Sequence, residues 1–220
     1  MRKKTFSYTL NITMKQIFNI VLLLFIVFID KTLSTRKSSG QKVKTSQDAL
    51  TWFNNYGYNP CFNTSAQCSL SFKSMLEDYQ KRFRLKVSGK FDDTTKEHMN
   101  RARCGNKDKS LAELNVVARI TQYKWSRSSL TYSVRGRPTE LTETATKNII
   151  REAFKAWVDY IPLKIEEVCS TCPADFVLDF LRDDHKDNYA FDGVGGTLAH
   201  AFFPQDGRVH FDKDEAWTER

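Results

Sequence analysis

Three of the chain's four histidines fall within one segment, "DDHKDNYAFDGVGGTLAHAFFPQDGRVHFDKDE", Asp183–Glu215. His185, His200 and His210 offer imidazole nitrogens, and Asp187 offers a carboxylate oxygen beside the first of them. Three nitrogens and one oxygen complete a tetrahedral zinc shell and leave no position for water, so such a zinc is structural. Taken singly, each histidine is as readily an ordinary polar residue; together, with His-x-Asp among them, they point to a metal. The glycine-rich "DGVGGT" suits a different cation. Asp192 precedes a backbone that can bend its carbonyls towards one point, and Asp212 and Glu215 follow His210 where they could close the same cage. Carboxylates and carbonyls favour calcium. An ordinary glycine turn flanked by solvated acids is the other reading of these residues.

Such ligands need a frame. His200 and His210 each lie in a short apolar run, "AHAFF" and "VHFD", which read as strands. Upstream, "ADFVLDFL" alternates, with Phe176, Leu178 and Phe180 on one face, and "LTYSV" (130–134) and "LKIEEV" (163–168) are further strand candidates. Between those two, Thr142 can cap a long helix carrying Ile149, Ile150, Ala153, Phe154 and Trp157, which Pro162 ends. Three shorter helices are expected before residue 105. The first spans Ser46 to about Tyr56, with Gly57 as its stop. The second spans Ser71 to Leu85, and the third runs from a cap at Asp92 or Asp93 to about Arg103. Their apolar stripes are most simply the core of a small bundle. Residues 106–124 have no clean periodicity and read as a connecting segment. The fold class expected is thus three helices followed by an α/β part with one long helix.

The chain has 220 residues and a formal net charge of +8. Nine Lys/Arg and a single acid precede residue 46, so the remainder balances to zero. Without a net basic folded part, nucleic acid is not an expected partner. The basic start has a plainer meaning. "MKQIFNIVLLLFIVFID", from Met14, carries an apolar run, Ile17–Ile29, too short to span a bilayer comfortably and suited to a secretory signal peptide. Residues 1–34 are expected to be that signal, with Met14 a possible true start and an uncleaved anchor the alternative; residues 35–45 read as a flexible leader. Secretion makes the five cysteines informative. Cys61 and Cys68 flank a short loop that carries the glycosylation sequon at Asn63. Cys169 and Cys172 are either a tight disulfide or two thiols. Cys104 is left over and needs a reason to be free.

"HKDNYAFDGVGGTLAHAF…VHFDKDEAWT" resembles the metal-binding loop of the matrix metalloproteinases, H-x-D…FDG-x-G…LAHAF…HFD-x-DE-x-WT. The resemblance implies zinc at His185, Asp187, His200 and His210. It implies calcium at Asp192, Gly193, Gly195, Thr197, Asp212 and Glu215, with Gly193, Gly195 and Thr197 acting through backbone carbonyls. Asp175 matches an aspartate serving another calcium, although the short "FFPQDGRV" replaces that ion's longer partner loop. "ARCGNKD" resembles the prodomain signature Pro-Arg-Cys-Gly-x-Pro-Asp, whose thiolate binds the catalytic zinc and keeps the zymogen latent. Arg103, Cys104, Gly105 and Asp108 match, while Ala102 and Lys107 stand where the pattern has prolines, which should loosen the loop. The implied organisation is a peptidoglycan-binding-like three-helix prodomain over 46–105, a linker over 106–124 and the first part of a zincin-like catalytic domain, with a mixed sheet and one long helix, over 125–220. The implied activity is hydrolysis of extracellular matrix proteins by a secreted, zinc- and calcium-dependent zymogen.

Catalysis in that family rests on H-E-x-x-H-x-x-G-x-x-H, in which the histidines hold the catalytic zinc and the glutamate is the general base. These 220 residues contain no H-E-x-x-H. The expectation is therefore a chain cut short before that helix and inactive alone, with a catalytic zinc only in a longer form. The alternative is a secreted product that works without catalysis, as a binding module or decoy.

Overall fold

The computed structural model describes residues 42–62, 70–108 and 124–219. The expected signal peptide, most of the leader and of the connecting segment, Asn63 and Cys68 lie outside the described residues.

Helix α1 (Ser46–Tyr56) begins at a reciprocal cap. The Thr45 hydroxyl accepts from the Asp48 N–H, and the Asp48 carboxylate accepts from the Thr45 N–H. It ends at Gly57, whose φ of 83° only glycine adopts without strain. Helix α2 (Phe72–Arg82) is capped by Ser71, and α3 (Asp93–Met99) by Asp92. Both stop earlier than the sequence suggests. Arg84 sits at φ 56°, which breaks α2 before Leu85. After α3, the Asn100 side chain takes up loose backbone groups, donating to the Lys96 and Val43 carbonyls and accepting from the Val43 N–H. Val43, at the end of the stretch read as a leader, is thereby docked and buried. Trp52, Phe53, Tyr58, Met75, Leu76, Tyr79 and Met99 form the core of this helical part.

Arg103, read from sequence as the end of the third helix, instead forms strand β1 with Cys104 (Arg103–Cys104). It joins β2 (Ser129–Val134), β3 (Lys164–Glu167), β4 (Phe176–Leu181), β5 (Thr197–Ala201) and β6 (Arg208–Asp212) in one sheet of order β1-β5-β6-β4-β2-β3. All neighbours run parallel except β5 and β6, so the sheet is mixed. Helix α4 (Glu143–Val158), capped by Thr142, connects β2 to β3. Its Ile150, Ala153 and Phe154 pack on the sheet face that carries Leu130, Tyr132, Phe176 and Leu178, and Phe154 stacks on Tyr132 at 4.5 Å between centroids. Helices with a mixed sheet make this an α+β fold.

The β5–β6 hairpin positions the histidines. Its register sets His200 directly opposite His210, and Ala199 opposite Phe211. Because strand side chains alternate, Val209 and Phe211 join the core under α4 while His200 and His210 project together from the other face.

Candidate metal centres

Over that second face folds the loop 182–196. Asp183, Lys186 and Asn188 all have positive φ (44°, 66° and 69°), a conformation that L side chains adopt at a cost of about 1–3 kcal/mol each. These left-handed residues turn His185 and Asp187 back towards the hairpin. Asp187 Oδ2 lies 2.9 Å from His185 Nε2, 2.7 Å from His200 Nε2 and 2.8 Å from His210 Nδ1. His200 Nε2 lies 3.3 Å from His185 Nε2 and 3.2 Å from His210 Nδ1. Four ligands about 2.0–2.1 Å from a tetrahedral zinc would sit about 3.3 Å apart. The cluster is therefore the size of a zinc shell, contracted slightly towards the carboxylate. Among the described residues it is the one set of three or more such side chains whose donor atoms all lie within 4.8 Å of one another.

The protonation pattern agrees. His185 Nδ1 is 2.9 Å from the Asp183 carbonyl, a contact that places a proton on Nδ1 and turns Nε2 towards the centre. Burial lowers the pKa of His200 and of His210, so both are neutral at neutral pH. Burial alone would raise Asp187, but hydrogen bonds from His200, the Tyr189 N–H and His210 prevail and bring it to about 2. Three imidazoles around one ionised carboxylate, with the Phe191 ring 4.8 Å from His185 and from His200, are a donor set that fits zinc.

The oxygen-rich loop is built differently. Gly193, Gly195 and Gly196 have φ of 75°, 83° and 70°. A Cβ on Gly196 would lie 2.1 Å from Asp192 Oδ2, so the backbone is wrapped against that carboxylate. Asp192 Oδ1 accepts from the Thr197 N–H at 2.9 Å, Glu215 Oε1 from the Gly195 N–H at 2.6 Å and Asp212 Oδ1 from the Asp214 N–H at 2.9 Å. The second oxygens of Asp212 and Glu215 are buried without any hydrogen-bond partner. Burial pushes Asp212 up to about 6 and, with the nearby Asp212 and Asp192 charges, Glu215 up to about 7; it also raises Asp192. Buried, unsatisfied carboxylate oxygens are costly unless a cation meets them. The residues present fit calcium, which takes six to eight oxygens in flexible geometry.

The remaining predicted residues lie elsewhere. Asp175, at the entry to β4, pairs with Arg127 and accepts from the Thr131 N–H and hydroxyl at 2.8 and 3.1 Å. Cys169 and Cys172 form a disulfide with Cα atoms 5.1 Å apart, which settles the two readings of that pair. Cys61 is disulfide-bonded, and Cys104 is free. Cys104 lies in β1 on the edge of β5: the Arg103 N–H donates to the Gly196 carbonyl at 2.8 Å and the Gly105 N–H to the Ala199 carbonyl at 2.7 Å. A Cβ on Gly105 would be 2.8 Å from Thr197 Cγ2 and 3.3 Å from His200 Cβ, so only glycine lets the segment lie so close. Of the residues that brace it, sequence reasoning named Arg103 and Asp108 and missed Tyr56 and Trp52. Arg103 donates to both Asp108 oxygens at 2.6 and 3.1 Å, and its guanidinium lies 3.8 Å from the Tyr56 ring centroid and 4.9 Å from that of Trp52. Tyr56 and Trp52 carried no signal beyond the core stripe of α1.

Comparison with known proteins identifies the family. The matrixin family model matches residues 124–220. Matrix metalloproteinase-18 of Xenopus laevis is 39% identical over 150 residues, covering 67% of this chain and 31% of that protein. The hatching enzyme of Paracentrotus lividus is 36% identical over 166 residues (74% and 27%), and the 72 kDa type IV collagenase of Gallus gallus is 36% identical over 208 residues (90% and 30%). The chain belongs to the matrix metalloproteinase, or matrixin, family. It spans less than a third of the length of each of these three relatives.

Proposed function

We propose that the chain is the front part of a secreted, zinc- and calcium-dependent metalloendopeptidase zymogen that acts on extracellular proteins. In this reading His185, Asp187, His200 and His210 hold a structural zinc. Asp192, Asp212 and Glu215 hold calcium together with the carbonyls of Gly193, Gly195 and Thr197. The helical part is a prodomain, and Cys104 is its latch. The zinc supplies a cross-link between the 182–196 loop and the β5–β6 hairpin; it takes no part in bond breaking, because all four positions around it are protein ligands. The observation that carries the reading is the closure of the four-residue cluster at zinc dimensions. Three features support the latch: Cys104 is free, it lies on the edge strand, and Arg103 and Asp108 clamp the segment. Secretion rests on the apolar run at Ile17–Ile29. No helix among the described residues is long and apolar enough to cross a membrane.

The reading makes the 220 residues alone inactive, since they carry no H-E-x-x-H to hold a catalytic zinc and its base. The test joins metal analysis to hydrolysis of a quenched fluorescent peptide. The purified chain should hold about one tightly bound zinc and cleave nothing. A longer protein that carries the H-E-x-x-H helix should be latent and become active on Cys104→Ser, because serine is a far weaker zinc ligand than thiolate. Chelator-sensitive turnover by the 220-residue chain, or a Cys104→Ser form of the longer protein as silent as its parent, would refute it.

A further inference from the structure

The helical part and the oxygen-rich loop share a wall. The Tyr56 hydroxyl, at the end of α1, is 3.2 Å from the Thr197 hydroxyl. The neighbouring Gly196 carbonyl accepts from the Arg103 N–H, one residue before the thiol-bearing Cys104. A small cavity of about 60 Å³ lies in the seam, with Trp52, Tyr56, Arg103, Asp192, Gly196 and Thr197 in its lining. One aromatic ring thus does two things: its face packs on the Arg103 guanidinium that braces the cysteine segment, and its hydroxyl reaches the loop whose carboxylates await a cation.

From these contacts we infer that Tyr56 is a positioning residue that links the cation occupancy of the Asp192–Thr197 loop to the burial of the Cys104 thiol. The inference rests on the reading of that loop as a calcium site. With calcium bound, the carbonyl of Gly196 and the side chain of Thr197 are held where Arg103 and Tyr56 can dock. Without it, the buried carboxylates of Asp212 and Glu215 and the exposed one of Asp192 repel one another, and the loop relaxes away from the shape that β1 pairs with. Linkage is reciprocal, so the docked helical part also tightens calcium binding. This supplies a brace for a segment that has Ala102 and Lys107 where the family pattern has prolines.

The test measures the rate at which iodoacetamide labels Cys104, assigned by peptide mapping, in the full 220-residue chain. The protein is kept in zinc-supplemented buffer, with saturating calcium or after dialysis against calcium-free buffer. Calcium binding is measured separately on the same preparations. Calcium should slow labelling about fivefold or more. Tyr56→Phe keeps the ring on Arg103 and removes only the hydroxyl, so it should shrink that calcium-dependent ratio by about threefold while zinc content stays unchanged. A merely structural tyrosine would alter labelling equally in both buffers. Calcium bound with no effect on labelling overturns the inference alone, as does a Tyr56→Phe ratio equal to the parent's. No calcium bound overturns the loop reading and the inference with it.

Discussion

The two proposed cation sites come from one segment and share the β5–β6 hairpin, yet the protein treats their polar side chains in opposite ways. Around Asp187 the donors face one another within 2.7–3.3 Å, and the carboxylate is drawn down to about 2. Around Asp212 and Glu215 the second oxygens have no partner, and both groups are driven up, to about 6 and about 7. Around Asp187 the inward nitrogens of His200 and His210 hydrogen-bond to the one carboxylate, so the polar groups of this cluster satisfy one another. Around Asp212 and Glu215 no donor reaches the second oxygens, so burial and the neighbouring carboxylates disfavour the ionised forms.

The sharpest way to break this contrast is to remove a zinc ligand. His200→Ala should abolish zinc retention and lower the melting temperature more than any other change considered below. Metal binding in structural zinc sites contributes on the order of 10 kcal/mol to folding. Retention of about one zinc per chain, measured by metal analysis, would show that His200 is not a ligand. Gly196→Ala is next. It puts a Cβ 2.1 Å from Asp192 Oδ2 at φ 70°, and should cost about 1–3 kcal/mol and weaken calcium binding while leaving zinc untouched. Calorimetric titration of calcium into the variant at an unchanged affinity would contradict the wrapped-loop description.

Glu215→Gln should show a reversal of sign. In calcium it loses a ligand and melts lower than the parent. In calcium-free buffer at pH 8 it sheds a buried charge and should melt at or above the parent. The same logic gives a pH dependence for the calcium-free parent. Glu215 and Asp212 bind protons more tightly folded than unfolded, where their values are 4.5 and 3.8. Their protonation therefore supports the fold at low pH. That contribution falls as pH rises from about 4 to about 7 and is then flat. Calcium should suppress the slope; a calcium-free melting curve that rises through that window would overturn the account. The smallest effect belongs to a residue remote from both sites. Thr142→Ala removes the N-cap of α4 and should cost about 1 kcal/mol without changing either ion's stoichiometry.

Much of the site was legible before the fold. His-x-Asp beside two strand histidines picked out the four residues that the fold brings together, while the carboxylate–glycine run left a cation loop and an ordinary glycine turn both open. The caps named at Asp92 or Asp93 and at Thr142, and the starts read at Ser46 and Ser71, placed the helix starts to within a residue. Helix ends were less legible, because Arg84 and Asn100 stop α2 and α3 through a left-handed turn and a side-chain clasp rather than through glycine or proline. The orphaned oxygens of Asp212 and Glu215 were invisible, since burial belongs to the packed molecule and not to spacing.

What the sequence determined by itself lies within a few residues along the chain: the caps of the third and fourth helices, the glycine stop of the first and the alternation of β4. These depend on periodicity and on side chains that reach their own neighbours. What only the tertiary structure decided joins distant segments. Arg103–Cys104 became a strand because the edge of β5 offered free backbone groups to it. His200 met His210 because the hairpin register set them opposite each other. Tyr56 became the bridge between helix and cation loop because α1 ends where Thr197 begins its strand. Backbone pairing is indifferent to side-chain pattern at such separations, so these contacts exist only once the two segments have been packed together.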